Sequence, residues 1–508
     1  MQLSKQNIKK ISVQEGLGIP DEKTFSLPEK VLQFGTGVLL RGLPDYFIDK
    51  ANRQGIFNGR VVVVKSTSNG GTDEFGKQDG LYTLCVKGIQ EGKKVEETII
   101  SSSISRVISA IDNWPAILEC AHNPEMQVII SNTTEVGITL MEDDIRLFPP
   151  HSFPGKLLAF LHERYKAFKG SKESGMVIIP TELITDNGGK LRSIVIELGK
   201  MNKLDIKFIE WVKNENYFCN SLVDRIVPGK LAERERNETE NKFGYKDDLM
   251  IMAESFRLWA IESDNERVKQ ILSFSKVDKG MVIAPNIEIF RELKLRLLNG
   301  THTFSCALAF LAGFKTVRET MEDSQFSSFI HDLAIQEIAA AMADDKISYN
   351  DACDFALTVL DRFRNPFLEH PWINIAVQYS SKMKMRNIPL LLKHYDKANH
   401  PPELMALGFA AYLLFMKCSK NEKGQFAGCA NGKEYVIQDD HAAYFENKWK
   451  NNNANDVVDS VLSDKNFWGP DLSELNGFAE MVKNNLCLIM KDGALKLIGN
   501  LQLNKATV

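Results

Sequence analysis

Lys294, Asn299 and His302 are the residues whose types and spacing most directly suggest chemistry. They lie in Lys294-Leu295-Arg296-Leu297-Leu298-Asn299-Gly300-Thr301-His302, which opens an apolar run continuing through Phe314. On an α-helix, at about 100° per residue, the three side chains project within roughly 140° of one another, with His302 in the middle. That arc is narrow enough to converge on one small molecule. A partly desolvated lysine can serve as general acid and base, because burial disfavours its charged form. An asparagine amide can donate to a carbonyl oxygen that gains negative charge. An imidazole can orient either the substrate or the lysine. A plainer arrangement fits the same spacing: a lysine reaching water from a helix start and a core histidine satisfied by its neighbours. The rest of the chain has to decide between the two.

A second candidate lies near the amino terminus. Val31-Leu32-Gln33-Phe34 is a short apolar run ending in Gly35-Thr36-Gly37, a strand followed by a glycine turn. Glycines there let the backbone approach a pyrophosphate, and the next helix start offers N–H groups. The third glycine of the dinucleotide fingerprint is missing, since position 40 is Leu40. Gly42 and Pro44 follow, so the expectation is a longer phosphate loop from Gly35 to Gly42 with a helix starting near Leu43. Any strand–turn–helix needing glycine for geometry would look the same. The β-branched run at 60–64 suits a buried parallel strand. It ends in Lys65-Ser66-Thr67, where an acidic residue would hold the ribose hydroxyls of NAD. Basic and hydroxyl groups can instead accept a 2′-phosphate, so the residues leave NAD and NADP both open.

These motifs need a scaffold. Residues 81–87 and 95–104 read as paired strands around a turn at 88–92, and 104–121 as a broken helix with Pro115. The runs 127–131 and 176–180 read as buried strands, the first ending in Asn132-Thr133-Thr134-Glu135. Helices are expected over 155–168, 190–200 and 204–217, and one last strand within 249–261. Asn187-Gly188 reads as a turn, and Asp224-Arg225 as a local ion pair. From Ile289 onward helical periodicity takes over, interrupted by a loop or hairpin at 419–440. The expected architecture is an α/β Rossmann-type doubly wound domain over 1–280, followed by a mainly α-helical domain over 281–508.

Composition excludes several classes. The chain has 508 residues, 44% hydrophobic and 25% charged, as in soluble globular proteins. A net charge of −4 carries no nucleic-acid or polybasic membrane footprint. Lys5, Lys9 and Lys10 precede no apolar signal segment, and the most apolar stretches, 304–314 and 404–416, are too short to span a bilayer. A cytoplasmic location is therefore expected. The eight cysteines are scattered and read as buried thiols. No cluster has metal-ligand spacing, so no metal is expected.

Taken together, these motifs resemble the mannitol dehydrogenase family of long-chain polyol and hexonate dehydrogenases, over nearly the whole chain. The matching pieces include residues 32–42, 131–138, Glu182-Leu183, Asn187-Gly188, 223–228, the Lys294-Asn299-His302 set, 362–366 and Ser380 with Lys382. The resemblance implies a nicotinamide-binding Rossmann domain, with NAD as cofactor and NADP possible. Phe34, Gly35, Thr36, Gly37, Val38, Leu39, Lys65, Thr133, Thr134 and Glu135 would be its contacts. It also implies Lys294 as acid/base, Asn299 as oxyanion-stabilising amide and His302 as substrate or lysine partner. Asp224, Lys382 and Glu182 fall at substrate positions. Polyol members carry Asn, Arg and His where this chain has Leu183, Asn374 and Val377, which disfavours mannitol and fits a small-molecule sugar acid. Arg296, Lys382 and Arg386 are then candidates for its carboxylate. A nicotinamide-binding sensor would be marked by decay of the Lys–Asn–His set, which is intact. Oligomeric state is not encoded legibly.

Overall fold

Four consecutive valines make Arg60–Lys65 a strand buried along its whole length. It belongs to a six-stranded sheet in the order Ile104–Ser109, Arg60–Lys65, Glu29–Phe34, Val128–Ser131, Val177–Pro180, Tyr217–Phe218. Every neighbouring pair is parallel. Numbered along the chain, that order is 3-2-1-4-5-6, the doubly wound dinucleotide-binding topology, which reverses between the first and fourth strands. Phe34 pairs with both Val64 and Ser131, so the carboxyl ends of the three central strands lie level.

A buried parallel sheet needs apolar residues on both faces. Val31, Val61, Val63, Ile130 and Ile179 pack with Phe47 and Trp259 on one side. Leu32, Phe34, Val62, Val64, Ile129 and Ile178 pack with Trp114, Phe160 and Trp211 on the other.

The computed structural model describes residues 1–12, 14–67, 71–133 and 137–505. They pack as two units, Met1–Gly88 with Lys94–Ile287, and Ile89–Lys93 with Glu288–Val508. The first also holds a four-stranded sheet containing the hairpin strands Tyr82–Gln90 and Lys93–Ser101, and a three-stranded sheet of Ser221–Asp224, Leu258–Glu262 and Met281–Ala284.

Several local expectations are corrected. Residues 104–121 are not one broken helix, because Ile104–Ser109 is the sheet's edge strand and only Trp114–Glu119 is α-helical. The stretch 249–261 splits into Ile251–Glu254 and Leu258–Glu262, which join different sheets. Asn187-Gly188 does not make a free turn but opens the helix Asn187–Met201.

The second unit is mainly helical. Asn299–Leu311 and Glu403–Phe415 are apolar nearly all round and buried accordingly. The interruption at 419–440 is a three-stranded sheet, Ser419–Lys420, Phe426–Ala430 and Lys433–Val436. Among the described residues three π-helical turns occur, at Lys294–Leu298, Leu333–Ala339 and Met383–Asn387. No described helix is long and apolar enough to cross a membrane. All eight cysteines are unpaired, and Cys429 and Cys487 are exposed, contrary to the expectation of uniformly buried thiols.

Candidate active site

In the first unit the candidate residues gather at the carboxyl ends of the central strands. Gly35 takes φ +132°, and a Cβ there would meet Leu40 Cδ1 at 2.9 Å and the Asn132 carbonyl oxygen at 3.1 Å. Glycine is thus required at position 35 by the protein's own geometry. Gly37 differs, because a Cβ on it would meet nothing within 4 Å. No packing of the chain demands glycine at 37, which leaves space over the loop. The loop is shorter than expected. Val38–Gly42 is already helical, and the longer helix Pro44–Arg53 starts after a break at Leu43. Thr36, Val38 and Leu39 are partly exposed around that turn, whereas Phe34 is fully buried against Phe153 at 5.1 Å. The Phe34 side chain therefore belongs to the core.

Beneath the loop, Gln33 Nε2 donates to the Gly35 carbonyl and to Asp45 Oδ2, both at 3.4 Å. Gln33 Oε1 and Asp45 Oδ1 are buried with no hydrogen-bond partner. Burial pushes the Asp45 carboxyl up to about 7, opposed by the Gln33 bond and the Arg41 charge. Lys65 is 7% exposed and turns its ammonium back onto its own loop, donating to the Thr67 carbonyl at 2.6 Å.

Glu182 was expected at the substrate. Its carboxylate is 3% exposed and organises the loop after Val128–Ser131. Oε1 accepts from the Thr133 N–H at 2.8 Å and the Thr133 hydroxyl at 2.9 Å, and Oε2 accepts from Ser131 Oγ at 3.1 Å. Thr134 and Glu135 lie outside the described residues. Asn187 staples the end of Val177–Pro180 to the start of Ser221–Asp224, donating to the carbonyls of Pro180, Glu182 and Ser221 and accepting from the Ser221 N–H. Asp224 is buried at the end of its strand. Arg225 spans to the carbonyls of Gly42 and Glu254 and lies over the Tyr46 ring, a wider bridge than a local ion pair.

In the second unit Lys294 opens a π-turn, and the Asn299 N–H donates to the Lys294 carbonyl. One extra residue in that turn brings Asn299 back nearly over Lys294, so the two side chains share a face more closely than α-helical spacing gives. Both are half-buried. His302 follows on the α-helix, 8% exposed. Its ring stacks on Phe363 at 4.0 Å and 7°, with His370 and Trp372 edge-on at 5.2 and 5.9 Å. Nε2 of His302 is buried with no hydrogen-bond partner. Burial drives its pKa well below the usual value, and the charges of His370, Arg362, Arg386 and Lys382 add to the effect. The imidazole is neutral at pH 7.

Of the three carboxylate candidates, Arg296 is otherwise engaged. It pairs with Glu292 at 3.0 Å and donates to the carbonyls of Met385 and Arg386 at 2.6 and 2.9 Å, tying the first π-turn to the last. Its guanidinium is thus more heavily engaged within the unit than the side chains of the other two candidates. Lys382 donates to the Ile375 carbonyl at 2.8 Å, and burial and the Arg386 charge lower its pKa. Arg386 donates to Thr303 Oγ1 at 3.3 Å, and that hydroxyl donates to the Asn299 carbonyl at 2.7 Å. Sequence reasoning picked out the 362–366 motif without giving Arg362 or Phe363 a role, and His370, which lies edge-on to His302, carries no spacing signal. Among the described residues no group of three or more His, Cys, Asp or Glu is placed to hold a metal.

Comparison with known proteins bears on the fold and the family. Residues 29–272 match the mannitol dehydrogenase Rossmann domain, and 286–490 match the mannitol dehydrogenase C-terminal domain. An altronate oxidoreductase of Bacillus subtilis is 38% identical over 460 residues, covering 90% of this chain and 91% of the relative. One from Halalkalibacterium halodurans is 36% identical over 481 residues, covering 93% of each. Mannitol 2-dehydrogenase of Pseudomonas fluorescens, solved with NAD and D-mannitol, shares the fold at TM-score 0.65 and 20% identity, covering 99% of both chains. A substrate-free D-sorbitol dehydrogenase gives TM-score 0.76 at 20% identity, covering 97% of this chain and 99% of that one. The chain belongs to the mannitol dehydrogenase family.

Proposed function

We propose that this protein is a tagaturonate reductase, or altronate oxidoreductase, catalysing reversible hydride transfer between NAD(H) and a hexuronate or hexonate. The observation that carries the reading is the π-turn joining Lys294 and Asn299, in a chain whose relatives are named altronate oxidoreductases. The cofactor fits this chain's residues, given a switch-point crevice, a strained Gly35 and open space over Gly37. Gly35, Thr36, Gly37, Val38 and Leu39 would hold its pyrophosphate, with Lys65 and Thr133 beside the ribose and nicotinamide. When bound, it supplies or accepts the hydride.

The chain's own residues manage the proton and the developing charge. Lys294 as an ammonium delivers a proton to the oxygen of the keto carbon as that carbon is reduced, and as a neutral amine it removes the proton in the reverse direction. Asn299 donates its amide N–H to the same oxygen as charge builds on it. His302, being neutral, offers Nε2 to a substrate hydroxyl and contributes no charge. The family resemblance would make Asp224 a substrate contact. Lys382 and Arg386 favour a sugar acid over a neutral polyol.

The test is NADH consumption on tagaturonate, fructuronate and fructose side by side. Tagaturonate is expected to give the highest kcat/KM, by at least tenfold. Preference for fructuronate would make the protein a mannonate oxidoreductase, and preference for fructose a polyol dehydrogenase. NADH binding without turnover of any of them would make it a sensor. Parallel titration with NADPH decides the cofactor, with NADH expected to bind more tightly.

A further inference from the structure

Gly35 is held from two sides. Its N–H donates to the Val64 carbonyl at 3.0 Å, and its carbonyl accepts from Gln33 Nε2 at 3.4 Å. The same nitrogen donates to Asp45 Oδ2 at 3.4 Å, so both amide hydrogens of Gln33 are used. Gln33 and Asp45 are completely buried, the first on the strand leading into the glycine turn and the second in the first turn of Pro44–Arg53. Two polar atoms are left over, Gln33 Oε1 and Asp45 Oδ1. Both are acceptors as long as Asp45 is ionised, and turning the amide over would set its oxygen against the Gly35 carbonyl oxygen. A single proton on Oδ1 resolves this. Amide and carboxylic acid then close a ring, with N–H to Oδ2 on one side and Oδ1–H to Oε1 on the other, and neither leftover oxygen stays unsatisfied.

The other titratable groups facing the Asp45 carboxyl are engaged elsewhere. Arg41, from the helix Val38–Gly42, donates to the Leu249 carbonyl at 2.7 Å. Asp49, one turn further along the helix of Asp45, pairs with Arg53 at 2.6 Å and accepts from the Ser102 N–H at 2.8 Å. Tyr82, from the hairpin strand, donates its hydroxyl to the Arg41 carbonyl at 2.8 Å. Burial acts in the same direction as the geometry, pushing the Asp45 carboxyl up to about 7.

We infer that Gln33 and a protonated Asp45 are positioning residues, an acid–amide pair that fixes the Gly35 carbonyl and couples NAD(H) binding to a proton. This rests on the cofactor seat proposed above. Losing the proton sets a carboxylate oxygen beside the amide oxygen. Gln33 escapes that repulsion by turning, which withdraws its N–H from Gly35, and a buried negative charge is left under the loop proposed to hold a pyrophosphate. Both effects weaken binding. By linkage, a cofactor that prefers the protonated form takes up a proton as it binds. Affinity is therefore highest below pH 7 and falls as pH rises through it.

The full-length protein is titrated with NADH by calorimetry at pH 6, 7.5 and 9, each in two buffers of different ionisation enthalpy, so that Kd and proton uptake are read together. In the wild type the Kd should rise about three- to tenfold from pH 6 to pH 9, with roughly half a proton taken up near pH 7.5. Asp45→Asn keeps the ring, with an amide N–H in place of the acid O–H, and has nothing to titrate. Its Kd should stay near the wild-type pH 6 value throughout, with that uptake gone. Gln33→Met should bind NADH at pH 6 no better than the wild type does at pH 9. Equal pH dependence and proton uptake in the wild type and Asp45→Asn would overturn the inference, as would Gln33→Met binding as tightly as the wild type at pH 6. If NADH binds at no pH, the cofactor seat itself falls, and the pair is read in the infrared difference between wild type and Asp45→Asn without cofactor. A protonated-carboxyl band at pH 6 that fades towards pH 9 would support the acid–amide pair, and its absence at pH 6 would overturn it.

Discussion

The Asn299 N–H donates to the carbonyl of Lys294, five residues back instead of four. The inserted residue changes how the two positions relate. On a regular α-helix they lie about 140° apart, whereas the π-turn brings them closer together on one face. A second π-turn, Met383–Asn387, is bonded to the first through Arg296 and to the helix that follows it through Asn387, which donates to the Gly300 carbonyl at 3.2 Å. Each distortion braces the other, and the residues proposed to handle charge lie on both.

The role given to Asn299 predicts a specific loss. Asn299→Ala should lower kcat on tagaturonate about 10²–10³-fold, the usual cost of removing one donor to a developing oxyanion. Steady-state turnover at saturating substrate measures it, and a kcat within threefold of wild type would remove Asn299 from the mechanism.

Glu182 predicts a split between two binding steps. Because its carboxylate holds the Ser131 hydroxyl and the Thr133 N–H and hydroxyl, Glu182→Ala should loosen that loop and raise the NADH Kd by about tenfold or more. Glu182→Gln should fall between the two, since one acceptor oxygen survives. An unchanged NADH Kd with a raised KM for the sugar acid would restore the direct substrate role suggested by its position in the sequence.

Asp45 predicts a pH dependence of stability. Its folded pKa lies near 7, above the ordinary value of 3.8. Its stabilising contribution is therefore complete below pH 3.8 and is lost as pH rises through 7. Asp45→Asn keeps the shape and can donate to the unpartnered Gln33 Oε1. The variant should melt higher than wild type at pH 8, by an amount on the order of a few kcal/mol, and the gap should close at pH 4. A variant less stable than wild type at pH 8 would show that the ionised carboxylate is needed.

His302 predicts the opposite limb. Its folded pKa is depressed, so its contribution is present above the unfolded value of about 6.5 and is lost as pH falls below it. His302→Gln should flatten the fall in Tm between pH 7 and 5 relative to wild type. An identical slope in both proteins would mean that the buried ring takes up its proton as readily as an exposed one.

Much of this architecture was legible in the chain, for physical reasons that differ by region. The strands Arg60–Lys65, Val128–Ser131 and Val177–Pro180 announce themselves because a sheet covered on both faces requires unbroken apolar runs. The edge strand Ile104–Ser109 does not, since its apolar run is interrupted by the partly exposed Ser105 and the exposed Arg106. The break between Ile251–Glu254 and Leu258–Glu262 falls at Ser255-Phe256-Arg257, with neither glycine nor proline to mark it. The candidate trio could be named from residue type, but its angular arrangement could not, because an added π residue leaves no compositional trace. Nor could Arg296 be separated from Lys382 and Arg386. All three look alike as basic residues, and only the partners Glu292, Met385 and Arg386 show which one is already occupied.

The central claim, proton exchange by the amine of Lys294, is tested most directly by the turnover number of Lys294→Ala on tagaturonate with both substrates saturating. The account predicts a drop of about 10²–10⁴-fold with NADH still bound. A kcat close to wild type would contradict it.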